Sequence, residues 1–477
     1  MSDLSFYQAP FTAIISDLHL CDAEPVNLKY PLWKKFKTRQ FFFDDTFATF
    51  LNHIKGRAKN NRVELVLNGD IFDFDSVTSM PKDPPFRISY LEKKRGLFPR
   101  AERSRYKIKA ILKDHETFVK ALREFILEGH RVIFVMGNHD IELHFQEVQQ
   151  EIMDQLRLTP EAREQVRFCE WFYISNQDTL IEHGNQYDPY CVCDDPINPY
   201  IRGYSHVSLK LPFGNLACRY IMNGMGFFNP HVDSNYIMTM RSYVTNFLRY
   251  MLRAQPLLIL DWFGGAIVTL GHSFIYRLAE PIRNPLRIED HVNNIAYKAN
   301  ADPRMVRELH LKELFMPPAA SNPFLLMREL WLDRAFIILI VFYLIYQLMS
   351  LIKSMINVSF YWAFIPLFLF FPFFLFYSKS ITSLVSGYKE PDDRILAMAS
   401  AITKVKRIVF GHTHIVRHEM IGSVEHLNSG CWSPAFLDIE CTKPLDQKTF
   451  VWISPSEEGG RQAEVFRFVD GESLPFR

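Results

Sequence analysis

The chain has 477 residues and a formal net charge of +1, with basic and acidic side chains almost equal in number. This length is enough for two or three domains and for a full hydrophobic core. The balanced charge argues against a nucleic-acid partner and gives no reason to expect an acidic substrate. The seven cysteines lack Cys-x-x-Cys spacing, which is typical of reduced thiols in a cytosol-facing protein. The stretch MSDLSFYQAPFTAIISD has no basic segment followed by an apolar one, so we expect no signal peptide and a start in the cytosol.

Short runs rich in Ile and Val alternate with helical patterns in the first third of the chain. Residues 11–16, 62–67 and 131–136 have the composition of buried strands. Helical patterns lie between them, at about 40–58 and 106–128. This repeating strand–loop–helix order predicts an α/β layered domain, in which ligands lie beyond the carboxyl ends of the strands.

The composition changes between two strand-rich parts of the chain, residues 165–182 and 406–470, which we expect to share one structure. Residues 335–352 and 360–377 are two stretches of 18 residues without a charge. As helices they would be about 27 Å long, close to the thickness of a bilayer core. The short linker KSMINVS joins them and predicts an antiparallel transmembrane hairpin. A pair of buried core helices is the alternative, but aromatic residues near the ends favour a membrane.

Two further segments of the insertion have a membrane-related pattern. Residues 256–276 are apolar but carry Asp261 and a Gly-Gly pair. If the flanking strand-rich parts form one domain, the insertion crosses a membrane an even number of times, so we expect this stretch to be interfacial or to form the wall of an apolar groove. Residues 235–253 are basic on one side of a helical wheel and apolar on the other, which fits either a helix in the membrane interface or a surface helix packed on the core.

The charges beside the hairpin predict its orientation. Several basic residues lie on the domain side, whereas the linker contains only one, Lys353. Those on the domain side are Arg328, Arg334, Lys379 and Lys389. The positive-inside rule therefore predicts an integral membrane protein with its domain facing the cytoplasm, as in a bacterial inner membrane.

Five polar clusters follow strand-like runs or close the series. They are SDLHL with Asp17 and His19, LNGDIFDF with Asp70 and Asp73, MGNHD with Asn138, His139 and Asp140, IEHGNQYD with His183 and Asp188, and VFGHTHI with His412 and His414. Packed histidines at strand ends are the alternative interpretation, but the ordered series favours a metal site. Carboxylate, imidazole and amide oxygen form a mixed ligand set that suits manganese, iron or zinc. Two divalent ions sharing a carboxylate would convert a bridging water to hydroxide near neutral pH.

The five clusters together resemble the signature of the calcineurin-like metallophosphoesterases. The resemblance implies a layered αββα sandwich and two divalent metal ions, for which we expect manganese, with iron or zinc as alternatives. It implies ligand roles for seven residues: Asp17, His19 and His414 at one ion, Asn138, His183 and His412 at the second, and Asp70 bridging both. His139 would be the catalytic histidine beside the leaving group, with Asp73 as its orienting partner. Asp140 and Asp188 are expected to orient an imidazole or to fix a loop.

The resemblance also divides the chain into parts. We expect residues 1–205 and 395–477 to form the metallophosphoesterase domain, with a helical, partly interfacial insertion at 206–330 and the transmembrane hairpin at 331–380. The fold class is therefore an α/β sandwich with an inserted α-helical membrane hairpin.

The hairpin bears on the substrate, because an enzyme with a soluble substrate has no need of one. We expect hydrolysis of a phosphate ester or pyrophosphate of a phospholipid or lipid-linked substrate. SDLHL, GDIFDF and EHG are similar to the UDP-2,3-diacylglucosamine hydrolases, which cleave a pyrophosphate, although His139 stands where that group usually carries arginine. One alternative is a phosphatase or phosphodiesterase for a soluble nucleotide or phosphoprotein that the hairpin merely localises. Another is a catalytically inactive membrane scaffold, against which the complete ligand set argues.

Overall fold

The structure is a computed structural model, and it describes most of the chain. The described residues are 6–59, 61–202, 206–226, 245–252, 257–279, 281–282, 285–311, 314–380, 392–444 and 447–476. Most of the predicted amphipathic segment 235–253 lies outside them. Within that segment, Phe247–Met251 form a short π-helix.

Two β-sheets and a small two-stranded sheet are built from fourteen described strands. In chain order the strands are β1 (Phe11–Ile15), β2 (Val63–Asn68), β3 (Arg131–Val135), β4 (Val166–Cys169), β5 (Phe172–Ser175), β6 (Thr179–Glu182), β7 (Tyr200–Arg202), β8 (Val207–Leu209), β9 (Arg407–Phe410), β10 (Arg417–Ile421), β11 (Val424–Asn428), β12 (Thr449–Pro455), β13 (Arg461–Val469) and β14 (Glu472–Pro475). The larger sheet has the order β14-β13-β12-β1-β2-β3-β4, and the smaller has the order β10-β11-β9-β6-β5.

The described helices lie between these strands. They are α1 (Asp44–Arg57), α2 (Tyr90–Arg95), α3 (Ala101–Asp114), α4 (Glu116–Leu127), α5 (Gln146–Leu156), α6 (Pro160–Arg163), α7 (Phe213–Tyr220), α8 (Leu258–Leu278), α9 (Pro285–Ala299), α10 (Pro303–Leu309), α11 (Pro323–Glu329), α12 (Leu332–Met355), α13 (Phe364–Ser380) and α14 (Asp393–Thr403). Short 3-10 turns lie at Lys35–Lys37, Arg39–Phe41, Ile141–His144, Asn185–Tyr187, Met222–Gly224, Ala319–Ser321 and Phe360–Ala363.

The single helix expected at 106–128 is two helices, α3 and α4. His115 separates them, because its backbone leaves the helical region at φ −112° and ψ 47°. Its buried imidazole Nδ1 lies 2.7 Å from Oδ1 of Asp44 at the start of α1. This tertiary contact has no signature in the apolar periodicity from which the helix was predicted.

The two large sheets pack face to face with helices outside both. Apolar side chains such as Ile14 and Val66 of the larger sheet meet Ile181 and Val409 of the smaller one in a shared core. Helices α1, α3, α4 and α5 cover the outer face of the larger sheet, and α9, α10 and α14 cover that of the smaller. The predicted layered αββα sandwich is confirmed.

Strand directions bring the predicted site residues to one place. Strands β1, β2 and β3 are parallel neighbours, so the loops after their carboxyl ends lie side by side. Strands β6 and β9 are also parallel neighbours, although residues 183–406 separate them in sequence. Since each predicted cluster follows one of these five strands, the clusters converge at the carboxyl edges of the two sheets.

Three helices in the described part of the chain are long and apolar enough to cross a membrane: α8, α12 and residues 360–378. The last two pair as the predicted antiparallel hairpin, because Tyr377 near the end of α13 donates a 3.0 Å hydrogen bond to Asp333 at the start of α12. Helix α8 differs in its packing, since 28% of its apolar window is buried, against 6% for α12. The interfacial placement of residues 256–276 stays a prediction.

Candidate metal centre

Most of the predicted metal ligands lie on strained backbone immediately after strands. Left-handed φ angles occur at Asp17 (55°), His19 (49°), Asp70 (52°), His412 (66°) and His414 (60°). Such a conformation costs a non-glycine residue about 1–3 kcal/mol, and it persists where the surrounding structure fixes it. The strain turns these side chains away from the strand direction and towards one another.

The first group contains Asp17, His19 and His414, which are the residues predicted for one metal ion. Their ligand atoms lie within 4.8 Å of one another. Oδ1 of Asp17 is 3.2 Å from Nε2 of His414 and 3.9 Å from Nε2 of His19. The two imidazoles approach each other closely as well, with 3.3 Å between their Nε2 atoms.

The second group contains Asp70, His183 and His412, again within 4.8 Å. Nδ1 of His183 donates a 2.9 Å hydrogen bond to the carbonyl of Asn68, which directs Nε2 towards the site. This Nε2 is 3.2 Å from Oδ2 of Asp70 and 4.0 Å from Oδ1 of Asp17. The two groups therefore adjoin each other, and His183 touches the carboxylates of both.

Glycines make this close approach possible. A Cβ atom at Gly69 would lie 2.3 Å from Nδ1 of His183, and one at Gly137 would lie 2.3 Å from Oδ1 of Asp70. A Cβ atom at Gly411 would lie 2.7 Å from Oδ2 of Asp17. Because real Cβ atoms are not found this close, the glycines before Asp70, Asn138 and His412 are required by packing.

The donor atoms fit a divalent cation. Asn138 is 1% exposed, yet its Oδ1 has no hydrogen-bond partner among the described residues. A buried amide oxygen left in this way is costly unless a ligand satisfies it. Oδ1 of Asp17 faces the imidazoles of His19, His183 and His414 within 4.0 Å, an arrangement of nitrogen and oxygen atoms that suits a metal ion.

The electrostatics of the site point the same way. Burial lowers the pKa of His183, but the carboxylates of Asp70 and Asp17 outweigh it and raise the pKa to about 9. Burial raises the pKa of Asp70, but the imidazoles of His183 and His139 hold it well below its ordinary value. The carboxylates thus create a negative potential that attracts positive charge to the site. Divalent cations would supply that charge with the imidazoles neutral, as ligation requires.

His139 lies beside the first group and against two carboxylates. Its Nδ1 is 3.4 Å from Oδ1 of Asp73, the predicted partner, and 3.5 Å from Oδ2 of Asp75. Burial lowers the pKa of His139, but Asp70, Asp73 and Asp75 together raise it to about 10. Its ring centroid is 5.0 Å from that of His19, so the imidazole borders the metal-ligand groups.

Two other carboxylates have the supporting contacts that their positions suggested. Oδ1 of Asp140 accepts a 2.6 Å hydrogen bond from the backbone of Gly137, and its Oδ2 accepts one of 2.8 Å from Ile71. Asp140 therefore ties the loops after β2 and β3 together. Oδ2 of Asp188 lies 3.0 Å from Nε2 of His412. Cys191 approaches this pair and completes a further group of possible ligands.

Three residues at the site have no motif that would have revealed them. Asp75 directly follows LNGDIFDF, and Asn215 and Arg219 belong to α7 in the insertion. Nδ2 of Asn215 donates hydrogen bonds to Oδ2 of Asp75 and, at 2.7 Å, to the carbonyl of Asn138. The guanidinium Nη2 of Arg219 is 3.4 Å from Oδ1 of Asp75. The sequence signal for two of them is that Asn215 and Arg219 are four residues apart on one helix. That spacing is too common to indicate a site.

Comparison with known families decides what kind of domain this is. Residues 12–211 match the family model described as calcineurin-like phosphoesterase. The chain carries a calcineurin-like phosphoesterase domain. A comparison with curated proteins found no significant match.

The family assignment makes the protein a metal-dependent phosphoesterase by class, a hydrolase whose buried His and Asp clusters could hold divalent metal. The matched range ends at residue 211, before His412 and His414. The fold nevertheless places both histidines against residues of the matched range, since His412 adjoins His183 with ring centroids 5.3 Å apart. The candidate metal centre is therefore assembled from both ends of the chain.

Proposed function

We propose that this protein is a membrane-embedded two-metal phosphoesterase that hydrolyses a phosphate ester or pyrophosphate of a lipid or lipid-linked substrate. The family assignment supports phosphoester hydrolysis, and the three apolar helices support residence in a membrane. The similarity of SDLHL, GDIFDF and EHG to the UDP-2,3-diacylglucosamine hydrolases supports a lipid-linked pyrophosphate among the candidate substrates.

The proposed ligand sets follow the two adjoining groups. Asp17, His19 and His414 would hold one ion, and Asn138, His183 and His412 would hold the second. Asp70 is the bridging carboxylate, and its position between His183 and the backbone N–H of His139 supports this role. Divalent ions bound there, manganese in the first instance, would activate water as the nucleophile and offset negative charge on the phosphoryl oxygens.

His139 is proposed to protonate the departing oxygen. Its Nδ1 faces Asp73 and Asp75, so Nε2 is the ring nitrogen available to a substrate. The carboxylates on the Nδ1 side keep the ring oriented and favour its protonated form, which a general acid needs. His139 is 13% exposed as a side chain, which leaves it accessible to a phosphate bound beside the ligand groups.

One observation carries the lipid part of the proposal: a single helix touches both the metal site and an apolar helix. Asn215 of α7 bonds the carbonyl of Asn138, and the carbonyl of Tyr220 at the other end of α7 packs against Gly265 of α8. The outer face of α8 carries Leu260, Ile267 and Phe274, which are 63%, 46% and 50% exposed. A bilayer in contact with this face would bring headgroup phosphates within a short distance of the site.

The hairpin supports the proposed orientation of the domain. Asp333 and Tyr377 meet at the domain end of the hairpin, where the flanking basic residues are concentrated. Together with the positive-inside rule, this supports a phosphoesterase domain on the cytoplasmic side, as in a bacterial inner membrane.

The proposal is tested with the full chain in lipid vesicles. The protein is incubated with a fractionated lipid extract and Mn²⁺, with Asp70→Asn in parallel, and lipid species are followed by mass spectrometry. We expect one class of phosphate-containing lipid to disappear only with the wild-type protein. If no lipid changes while a panel of soluble nucleotides or phosphopeptides is hydrolysed, the lipid part is wrong and the hairpin merely localises the enzyme. If neither changes, the protein is a scaffold under these conditions and the proposed activity is rejected.

A further inference from the structure

Helix α7 directs two polar side chains at one carboxylate. Asn215 and Arg219 are four residues apart, which places them on the same face of the helix. Both contact Asp75, Asn215 through Oδ2 and Arg219 through Oδ1 at 3.4 Å. Asp75 thus has a hydrogen bond on Oδ2 and an ion-pair contact on Oδ1, both from a helix that lies outside residues 12–211 of the family match.

Asp75 in turn lies against His139. Its Oδ2 is 3.5 Å from Nδ1 of His139, almost as near as Oδ1 of Asp73 at 3.4 Å. Asp73 also accepts a 2.9 Å hydrogen bond from the backbone of Ser76, so it is fixed by its own loop. Asp75 receives its side-chain contacts from α7 instead. The two carboxylates that orient His139 therefore depend on different parts of the chain.

The contacts of Asp75 with Asn215 and Arg219 are expected to add little to the stability of the fold. Asp75 and Arg219 are each 1% exposed, and Asn215 is fully buried. A buried ion pair gains little over apolar side chains of similar size, because removing both charges from water offsets most of their attraction. Arg219 forms its 3.4 Å ion pair with Asp75 without hydrogen-bond geometry, and none of its three guanidinium nitrogens has a hydrogen-bond partner among the described residues, which adds to that cost. Buried polar groups left without partners call for an explanation, and a role at the adjoining site is one.

We propose that Asn215 and Arg219 are positioning residues that hold Asp75, and through it His139, on the leaving-group side of the site. The inference rests on the acid role proposed for His139. It gives the insertion a part in positioning the acid, because α7 supplies the side chains that contact Asp75. Asn215 also bonds the carbonyl of Asn138, the residue before His139, which fixes the backbone at the same point.

The test compares two aryl phosphodiesters that differ in the acidity of the phenol they release. A p-nitrophenyl ester has a good leaving group that needs no proton, whereas a phenyl ester depends on an acid. With Mn²⁺ and the full chain in vesicles, His139→Ala should slow the phenyl ester roughly 100-fold or more and the p-nitrophenyl ester far less. Arg219→Met and Asn215→Leu should show the same unequal loss, roughly 10-fold in kcat on the phenyl ester, with KM little changed.

Further variants separate positioning from folding. Arg219→Lys keeps a cation beside Asp75 and should recover part of the rate on the phenyl ester. Adding Arg219→Met to His139→Ala should cause no further change in the ratio of the two rates, because both substitutions act through the same imidazole. Arg103→Met removes a buried ion pair of the same kind, with Glu92 at 2.9 Å, and should leave the ratio at the wild-type value.

The outcomes distinguish the inference from the function on which it rests. If His139→Ala slows both esters equally, the acid role of His139 is wrong, and the inference falls with it. If His139→Ala shows the unequal loss but Arg219→Met and Asn215→Leu slow both esters equally, the inference alone is overturned. Metal content is measured in every variant, and a loss in Arg219→Met that follows lost metal would also overturn it.

Discussion

The backbone N–H of His412 donates a 3.1 Å hydrogen bond to Oδ2 of Asp17, across 395 positions of sequence. The contact joins the GHTH loop after β9 to the first loop of the domain after β1. It depends on Gly411, where a Cβ atom would lie 2.6 Å from Oγ of Ser16 and 2.7 Å from Oδ2 of Asp17.

Gly411→Ala should therefore separate the two ends of the site. We expect metal-dependent hydrolysis to fall at least about 10-fold with the fold retained, because the added methyl group displaces Asp17 or His412. Gly56→Ala is the control, since a Cβ atom there meets nothing within 4 Å. Activity and bound metal are measured for both, and equal behaviour of the two variants would show that the loops tolerate the displacement.

Asp70→Asn should abolish metal-dependent hydrolysis with little change in folding. The substitution keeps the shape of the side chain but removes the negative charge that faces His183 and the backbone N–H of His139. The expected loss exceeds the roughly 10–100-fold that follows from removing a group that only supports a ligand. Rates with Mn²⁺ are compared with circular dichroism and thermal melting, and wild-type rates in this variant would refute the bridging role.

Removal of metal should lower the thermal stability of the domain. Without cations, the negative charges of Asp17 and Asp70 are balanced only by bound protons and by the imidazoles around them. A cation that binds only the folded chain stabilises it by about 2.7 kcal/mol at a concentration 100 times its dissociation constant. Melting temperatures are measured after chelation and after return of Mn²⁺, Fe²⁺ or Zn²⁺. A melting temperature that does not respond to any of these ions would contradict the metal site.

The sequence was sufficient to predict the clusters but not their full surroundings. Asp17, Asp70 and Asn138 could be found because each follows a recognisable strand, and strand order brings such loops together. Asp75, Asn215 and Arg219 could not, because their importance comes from the docking of α7 against the domain. The position of α7 depends on close packing, such as that between Gly265 of α8 and the carbonyl of Tyr220. Close packing of this kind cannot be predicted from composition or periodicity. The break at His115 was missed for a similar reason, since its contact with Asp44 is tertiary.

Gly265→Ala should weaken the packing of α8 on α7. A Cβ atom at Gly265 would lie 2.5 Å from the carbonyl oxygen of Tyr220, whereas one at Gly264 meets nothing within 4 Å. Gly264→Ala removes a glycine from the same helix without a clash and should be neutral, or stabilising by up to about 1 kcal/mol. We expect Gly265→Ala to lower the melting temperature and to slow hydrolysis through the displaced α7. The prediction is wrong if the two neighbouring variants behave alike.

Acidification should destabilise the protein in part through His426. Burial lowers the pKa of this imidazole to about 4, whereas the unfolded chain takes up the proton near pH 6.5. The unfolded state therefore binds more protons between these values, so the contribution of neutral His426 is complete above about pH 6.5 and is lost as the pH falls towards 4. Between pH 7 and pH 5 the loss amounts to about 2 kcal/mol.

His426→Phe removes this titration and should flatten the pH dependence. The ring of Phe410 lies beside it, with centroids 5.2 Å apart, so an aromatic replacement suits the environment. Melting temperatures of wild type and variant are compared at pH 7 and pH 5. An equal drop in both proteins would assign the acid sensitivity to other groups.

The pairing of β6 with β9, and of β1 with β12, also dictates an order of events during synthesis. The ribosome completes α8, α12 and α13 before it makes β9, β11, β12 and the GHTH loop. Until then β1 is paired only with β2 and β6 only with β5, and the site lacks His412 and His414. The growing chain thus contains its apolar helices before it can bind a full set of metal ions, so the site is completed only after those helices have been synthesised.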